Sequence, residues 1–108
     1  MRQKKITITD ETGGVNSDPL MLNWRARPFA VSLAFDTNGN TSGFTVQFAL
    51  DDPQVTPQAS WKWFDHSEMA GMKADKTGNL AFPVTALRLA SDGGGSDIGT
   101  LYVIQAGG

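Results

Sequence analysis

Residues 29 to 50 hold the pattern that most constrains the fold. Phe29, Val31, Leu33 and Phe35 alternate with Ala30, Ser32, Ala34 and Asp36, and after a polar break Phe44, Val46, Phe48 and Leu50 alternate with Thr45, Gln47 and Ala49. Successive side chains of a strand point to opposite faces, so this period of two predicts two β-strands, each with one apolar face. Between them, residues 36 to 43 contain Asn38-Gly39 and Gly43, which accept the positive φ of a reversing chain and predict a β-hairpin with a long loop. Eight large apolar side chains then share one face. At about 1.5–3 kcal/mol per fully buried side chain, that face must be covered by a second sheet.

The flanking sequence continues the rhythm. Lys5 to Thr9 alternates with Ile6 and Ile8 on one side, a first strand; residues 10 to 19 are mostly turn, and Leu20 to Trp24 is a further candidate strand. Pro28 stands at a strand entrance, where a missing amide donor does least harm. Residues 51 to 60 are polar and contain Pro53 and Pro57, so they predict a long connection of the kind that passes from one sheet to another in Greek-key and jelly-roll sandwiches. Trp61 to His66 reads as extended, residues 67 to 72 as one helical turn or an irregular loop, and residues 73 to 79 as a turn. Val84 to Ala90 and Ile98 to Gln105 are the last strands, joined by a glycine-rich reversal. The expected fold is all-β, a small antiparallel β-sandwich or jelly roll of about seven to eight strands, in one domain spanning residues 1 to 108.

Composition excludes several classes of function. With no cysteine there is neither a disulfide framework nor a thiolate metal site. The start, Met-Arg-Gln-Lys-Lys, lacks the apolar core of a secretory leader, and no run approaches the length of a membrane span, which predicts synthesis in a cytosol and no membrane partner. Nine basic residues against eleven acidic ones, a formal charge of −2, give no case for nucleic acid. Residues 1 to 27 nevertheless carry five basic and three acidic side chains, whereas residues 28 to 108 carry four and eight. The basic residues Arg2, Lys4, Lys5, Arg25 and Arg27, with Trp24 among them, mark residues 1–27 as a candidate docking segment for an acidic partner.

Chemistry-bearing motifs fail on spacing. Asp36, Asn38 and Asn40 occupy the first, third and fifth positions of a calcium loop, but Thr41 stands at the sixth and Gln47 at the twelfth, where glycine and glutamate belong. Gly93-Gly-Gly95 leads into a strand, so no helix N-terminus waits for a phosphate. His66 is the single histidine. Its neighbour Asp65 points to the opposite face of an extended chain, so no nucleophile, base and orienting group assemble; His66 reads as a surface or capping residue. The expectation is a non-enzyme with no cofactor, no metal and no catalytic residues.

Trp61, Trp63 and Phe64 form the most informative cluster. In a strand the two tryptophans share one face and Phe64 takes the other, and aromatic surface of this kind serves a sandwich core, a protein interface or a sugar platform.

The stretch Met72 to Leu89, together with Asp65-His66, the Leu101 to Gly107 terminus and the Pro28-to-Leu33 strand entrance, resembles small jelly-roll structural proteins of tailed bacteriophages and prophages, some of which are capsid decoration or cement proteins. The resemblance covers roughly residues 28 to 107. It implies a virion structural protein, made in the host bacterial cytoplasm, that binds the major capsid protein on the outer capsid surface, stabilises the head and forms a homo-oligomer, dimer or trimer. The alternative is a glycan-binding or structural module of a phage tail or head fibre.

Overall fold

The computed structural model describes residues 2–10, 14–22, 30–39, 42–51, 54–80, 84–93 and 97–106. Among the described residues eight strands form: β1 (Arg2–Thr9), β2 (Leu20–Met21), β3 (Ala30–Thr37), β4 (Phe44–Ala49), β5 (Trp63–Asp65), β6 (Lys76–Leu80), β7 (Ala86–Ser91) and β8 (Ile98–Ala106). They build two four-stranded sheets, β1-β8-β3-β6 and β2-β7-β4-β5, and every strand pair is antiparallel. Each connection passes to the other sheet except that from β4 to β5. This winding is a jelly roll, the all-β sandwich expected from the alternating sequence.

The expected hairpin of residues 29 to 50 does not form. β3 lies in the first sheet between β8 and β6, and β4 lies in the second between β7 and β5. Residues 38–43 can reach about 20 Å at 3.3–3.6 Å per residue, ample to cross the ~10 Å between packed sheets. The apolar residues therefore face one another across the core. Phe35 and Phe44, both buried, meet with ring centroids 5.3 Å apart. Val31, Leu33 and Val46 are buried beside them, whereas Leu50 lies beyond the end of β4 and is 54% exposed. Phe29 falls outside the described residues, as do Trp24 and Pro28.

The 51-to-60 connection departs from expectation in the opposite sense. It does not change sheets, because β5 pairs directly with β4 through Gln47↔Asp65, Phe48↔Phe64 and Ala49↔Trp63. Its described part folds instead over the outer face of the second sheet, turning through a 3-10 segment at Gln58–Ser60.

Two stretches read as turns are ordered against strands. β6 pairs with β3 although Thr77, Gly78 and Asn79 give it no apolar alternation; as an edge strand it contributes Leu80 to the core and turns polar side chains outward. Residues 14–22 run along β7: the Ser17 amide donates to the Leu89 carbonyl at 2.8 Å, and the Ser91 amide to the Val15 carbonyl at 2.8 Å. Residues 66 to 72 form an irregular loop pinned to β4, with the Val46 amide donating to Met69 O and Phe44 and Met72 exchanging backbone hydrogen bonds. That pinning drops Met69 and Met72 into the core from an open edge of the sandwich. Two glycines make room for large neighbours: a Cβ at Gly78 would stand 2.6 Å from Met69 Sδ, and one at Gly99 would stand 2.7 Å from the Phe44 ring.

Candidate functional site

The register of the second sheet places a mixed aromatic and polar surface on its outer face. Ala49 pairs with Trp63 on one side and Ala86 on the other, and Ala86 pairs in turn with Met21. This row presents Met21, Ala86, Ala49 and Trp63 away from the core. The two alanines leave a shallow floor, and Trp61 closes over it to form a small second cluster with Ala49, Ala86 and Trp63. Trp61 is only 8% exposed, and its Nε1–H donates to Thr56 O at 2.9 Å. Its ring stands 6.2 Å from that of Trp63 at a tilt of 54°. Trp61 thus fastens the 51-to-60 connection to the sheet.

The adjacent row is polar. Gln47 lies between Asp65 and Arg88 in the register. Arg88 Nε donates to Gln47 Oε1 at 2.7 Å, and Gln47 Nε2 donates to Asp65 Oδ1 at 2.8 Å. The Arg88 guanidinium lies over the Trp63 ring, 4.4 Å from its centroid, a cation–π contact that fixes both side chains. Burial disfavours the charged form and lowers the Arg88 pKa from its ordinary value, while the guanidinium stays protonated.

Several large apolar side chains are exposed. Val55 is 78% exposed and Leu50 54%, both on the connection that leaves β4, and Met21 is 41% exposed. Phe64 takes the opposite face of β5, as strand alternation requires; it is 39% exposed, stacks on Phe48 at 5.8 Å and has Lys62 Nζ 5.5 Å above its ring.

The basic residues are placed less simply. Arg2, Lys4 and Lys5 belong to β1, an edge strand paired with β8 along its whole length, so this segment is part of the sheet and not a free arm. Lys5 is exposed; Lys4 reaches across to donate to the Met21 carbonyl at 3.2 Å, on the border of the second sheet's outer face. Trp24, Arg25 and Arg27 lie outside the described residues. The expected site residues therefore divide: Lys4, Trp61 and Trp63 adjoin one face, Lys5 exposes its side chain on the first sheet, and Phe64 stacks on Phe48 on the other face of β5.

A cleft of about 340 Å³ opens between β5 and β6 and is lined by Phe48, Asp65, His66, Ser67, Glu68, Asn79 and Leu80. His66 is buried, not at the surface, and it caps the following loop. The Glu68 amide donates to Nδ1 at 3.1 Å, which leaves the proton on Nε2 to donate to Asn79 O at 2.9 Å. Both ring nitrogens are thus committed to backbone groups, and the second bond ties the edges of the two sheets together. At the other end, Asp97 accepts from the Ser42 amide at 3.0 Å and Asp10 from the Gly93 amide at 3.0 Å; these carboxylates serve the loops. Among the described residues no group of three or more histidine, cysteine or acidic side chains is arranged to hold a metal ion. No helix of the described residues is long and apolar enough to cross a membrane.

Sequence reasoning missed Arg88 and Gln47. Arg88 is the one charged residue inside the apolar Val84-to-Ala90 stretch, a signal visible in the sequence, but its position over Trp63 needs the register of three strands.

No protein-family model and no curated protein matches this sequence. Among solved structures the chain is similar to PirA, with a TM-score of 0.52 and 17% identity over 94% of this chain and 92% of that one. It is also similar to part of IMPa from Pseudomonas aeruginosa, solved in complex with an O-glycopeptide, with a TM-score of 0.49, 14% identity, 98% of this chain covered and 12% of that one. The structure of infectious bursal disease virus Gt strain is a third, at a TM-score of 0.42, 15% identity, 99% of this chain and 32% of that one. The likeness to PirA is one of fold and extends over nearly the whole of both chains.

Proposed function

We propose that this chain is a structural protein of a tailed-bacteriophage virion, a capsid decoration protein that binds the outer capsid surface and stabilises the head. The observation that carries this reading is the outer face of the second sheet, where the stacked Trp63–Arg88 pair shares the surface with exposed Met21. Exposed apolar surface rimmed by polar groups is what a protein contact uses, and aromatic and arginine side chains dominate such contacts. The jelly roll suits the role, being a fold of capsid domains as well as of lectins. The sequence resemblance over residues 28 to 107 supplies the phage assignment.

The proposal involves no catalysis. The one histidine has both nitrogens engaged by the backbone, and Asp10, Asp65 and Asp97 accept hydrogen bonds that hold loops and strands. The rival reading, a glycan platform on Trp61 and Trp63, is disfavoured by geometry: Trp61 is closed over, and Arg88 lies on the Trp63 ring. A stacking platform needs an open ring face. The test is the copy number of this chain in purified virions by quantitative mass spectrometry. Copies in proportion to the major capsid subunit are expected; a handful per particle would assign the chain to the tail, and none would refute a virion role.

A further inference from the structure

The most unusual group on the surface is Arg88. It is half-buried on an outer sheet face, and among the described residues both groups that touch its head are neutral: the Gln47 oxygen on Nε and the Trp63 ring beneath. Burial lowers its pKa, and among the described residues no carboxylate offsets the cost. Asp65, the nearest acid in the register, is bonded to Gln47 instead. A guanidinium carries five donors in a rigid fork. Among the described residues only Nε has a hydrogen-bond partner, so the terminal nitrogens are held in place and unspent. Holding a charged group partly desolvated without a counter-ion costs free energy, and a partner that brings the counter-ion recovers it.

We propose that the outer face of the second sheet docks another protein by receiving an aspartate or glutamate side chain on Arg88, with Met21 and Trp63 packing beside it. The inference rests on the assembly reading above and names its contact face. Charge complementarity selects the occupant. Arg88 stands over Trp63 and Lys4 bonds the Met21 carbonyl, so a cation stands near each end of the Met21-to-Trp63 row. A carboxylate accepts two parallel N–H bonds from an arginine fork, and the surrounding apolar side chains exclude water from the pair. Because Trp63 and Gln47 already fix the guanidinium, little side-chain entropy is left to lose on binding.

The experiment uses particles stripped of this chain and re-incubated with purified protein, with occupancy read after sedimentation. Arg88→Gln is expected to lower occupancy at least tenfold, and Arg88→Lys, which keeps the charge and loses the fork, several-fold. Ser32→Lys, on the outer face of the first sheet, is expected to bind as the unaltered protein does. Unfolding midpoints of each variant separate lost folding from lost docking, and Met21 replaced by a photo-crosslinking residue is expected to label an acidic segment of a capsid subunit. Unchanged occupancy for Arg88→Gln overturns the inference while the assembly reading stands. Failure of the unaltered protein to bind particles overturns both. Crosslinks only between copies of this chain, or binding of acidic oligosaccharides that Arg88→Gln abolishes, would likewise overturn it in favour of self-association or of a glycan.

Discussion

Replacing His66 by alanine tests how the open edge of the sandwich is held. The ring joins β5 to β6 through the 2.9 Å bond from Nε2 to Asn79 O and organises the following loop through the 3.1 Å bond from the Glu68 amide. Each bond contributes about 0.5–1.5 kcal/mol net. The cleft beside them admits water, so the freed carbonyl and amide can be rehydrated and the full penalty of a buried orphan does not apply. Loss of ring packing adds a share of the ~2–5 kcal/mol typical of large-to-small changes, reduced because the site lies at an edge. The expected destabilisation is about 2–3 kcal/mol by these magnitudes, or roughly 10–20 °C in the unfolding midpoint of a domain this size. Urea titration with an unchanged m-value is the assay. His66→Gln, which restores a donor towards Asn79, is expected to recover about half of the loss, in keeping with one bond of two. A destabilisation under ~0.5 kcal/mol, the usual scale of surface changes, would refute the assignment of His66 as an edge tie.

Other perturbations probe different parts of the fold. Gly99→Ala would drive a Cβ to 2.7 Å from the buried Phe44 ring, itself packed on Phe35, so calorimetry is expected to show a loss of about 1–3 kcal/mol, as overpacking gives. Trp61→Ala is expected to cost about 3 kcal/mol and to make residues 51 to 60 the first site of limited proteolysis, since the ring fastens that connection to Ala49 and Ala86. The Asp36 carboxyl titrates above its ordinary 3.8, chiefly because it shares a hydrogen bond with Asp75 and also because the two carboxylates repel. A folded-state pKa above the unfolded one means stability present at low pH and lost as pH rises through the raised value. Asp36→Asn is therefore expected to flatten the fall in melting temperature above pH 3.8; an unchanged profile would show that the pair does not form in solution.

The sequence by itself determined the fold class and most of the core. Period two marked Val31, Leu33, Phe35, Phe44 and Val46 as one-sided, and all five are buried. It also marked Trp61, Trp63 and Phe64 as a cluster split between two faces, which the register of β5 reproduces. Only the tertiary structure decided which sheet each strand joins. In a sandwich both sheets bury one face against the same core, so β3 and β4 carry the same alternation whether they pair or oppose each other. Loop length gave the wrong sense because a short link spans the intersheet distance, while the long link stayed in one sheet and was used to carry Trp61 over the outer face. The edge strand β6 was illegible for a related reason: it contributes little apolar surface, and its strand state comes from backbone bonds to β3. Arg88 followed the same logic. Its type and position were plain in the sequence, but its place over Trp63 and beside Gln47 depends on three strands lying side by side, and side-by-side placement is a long-range property that local periodicity does not encode.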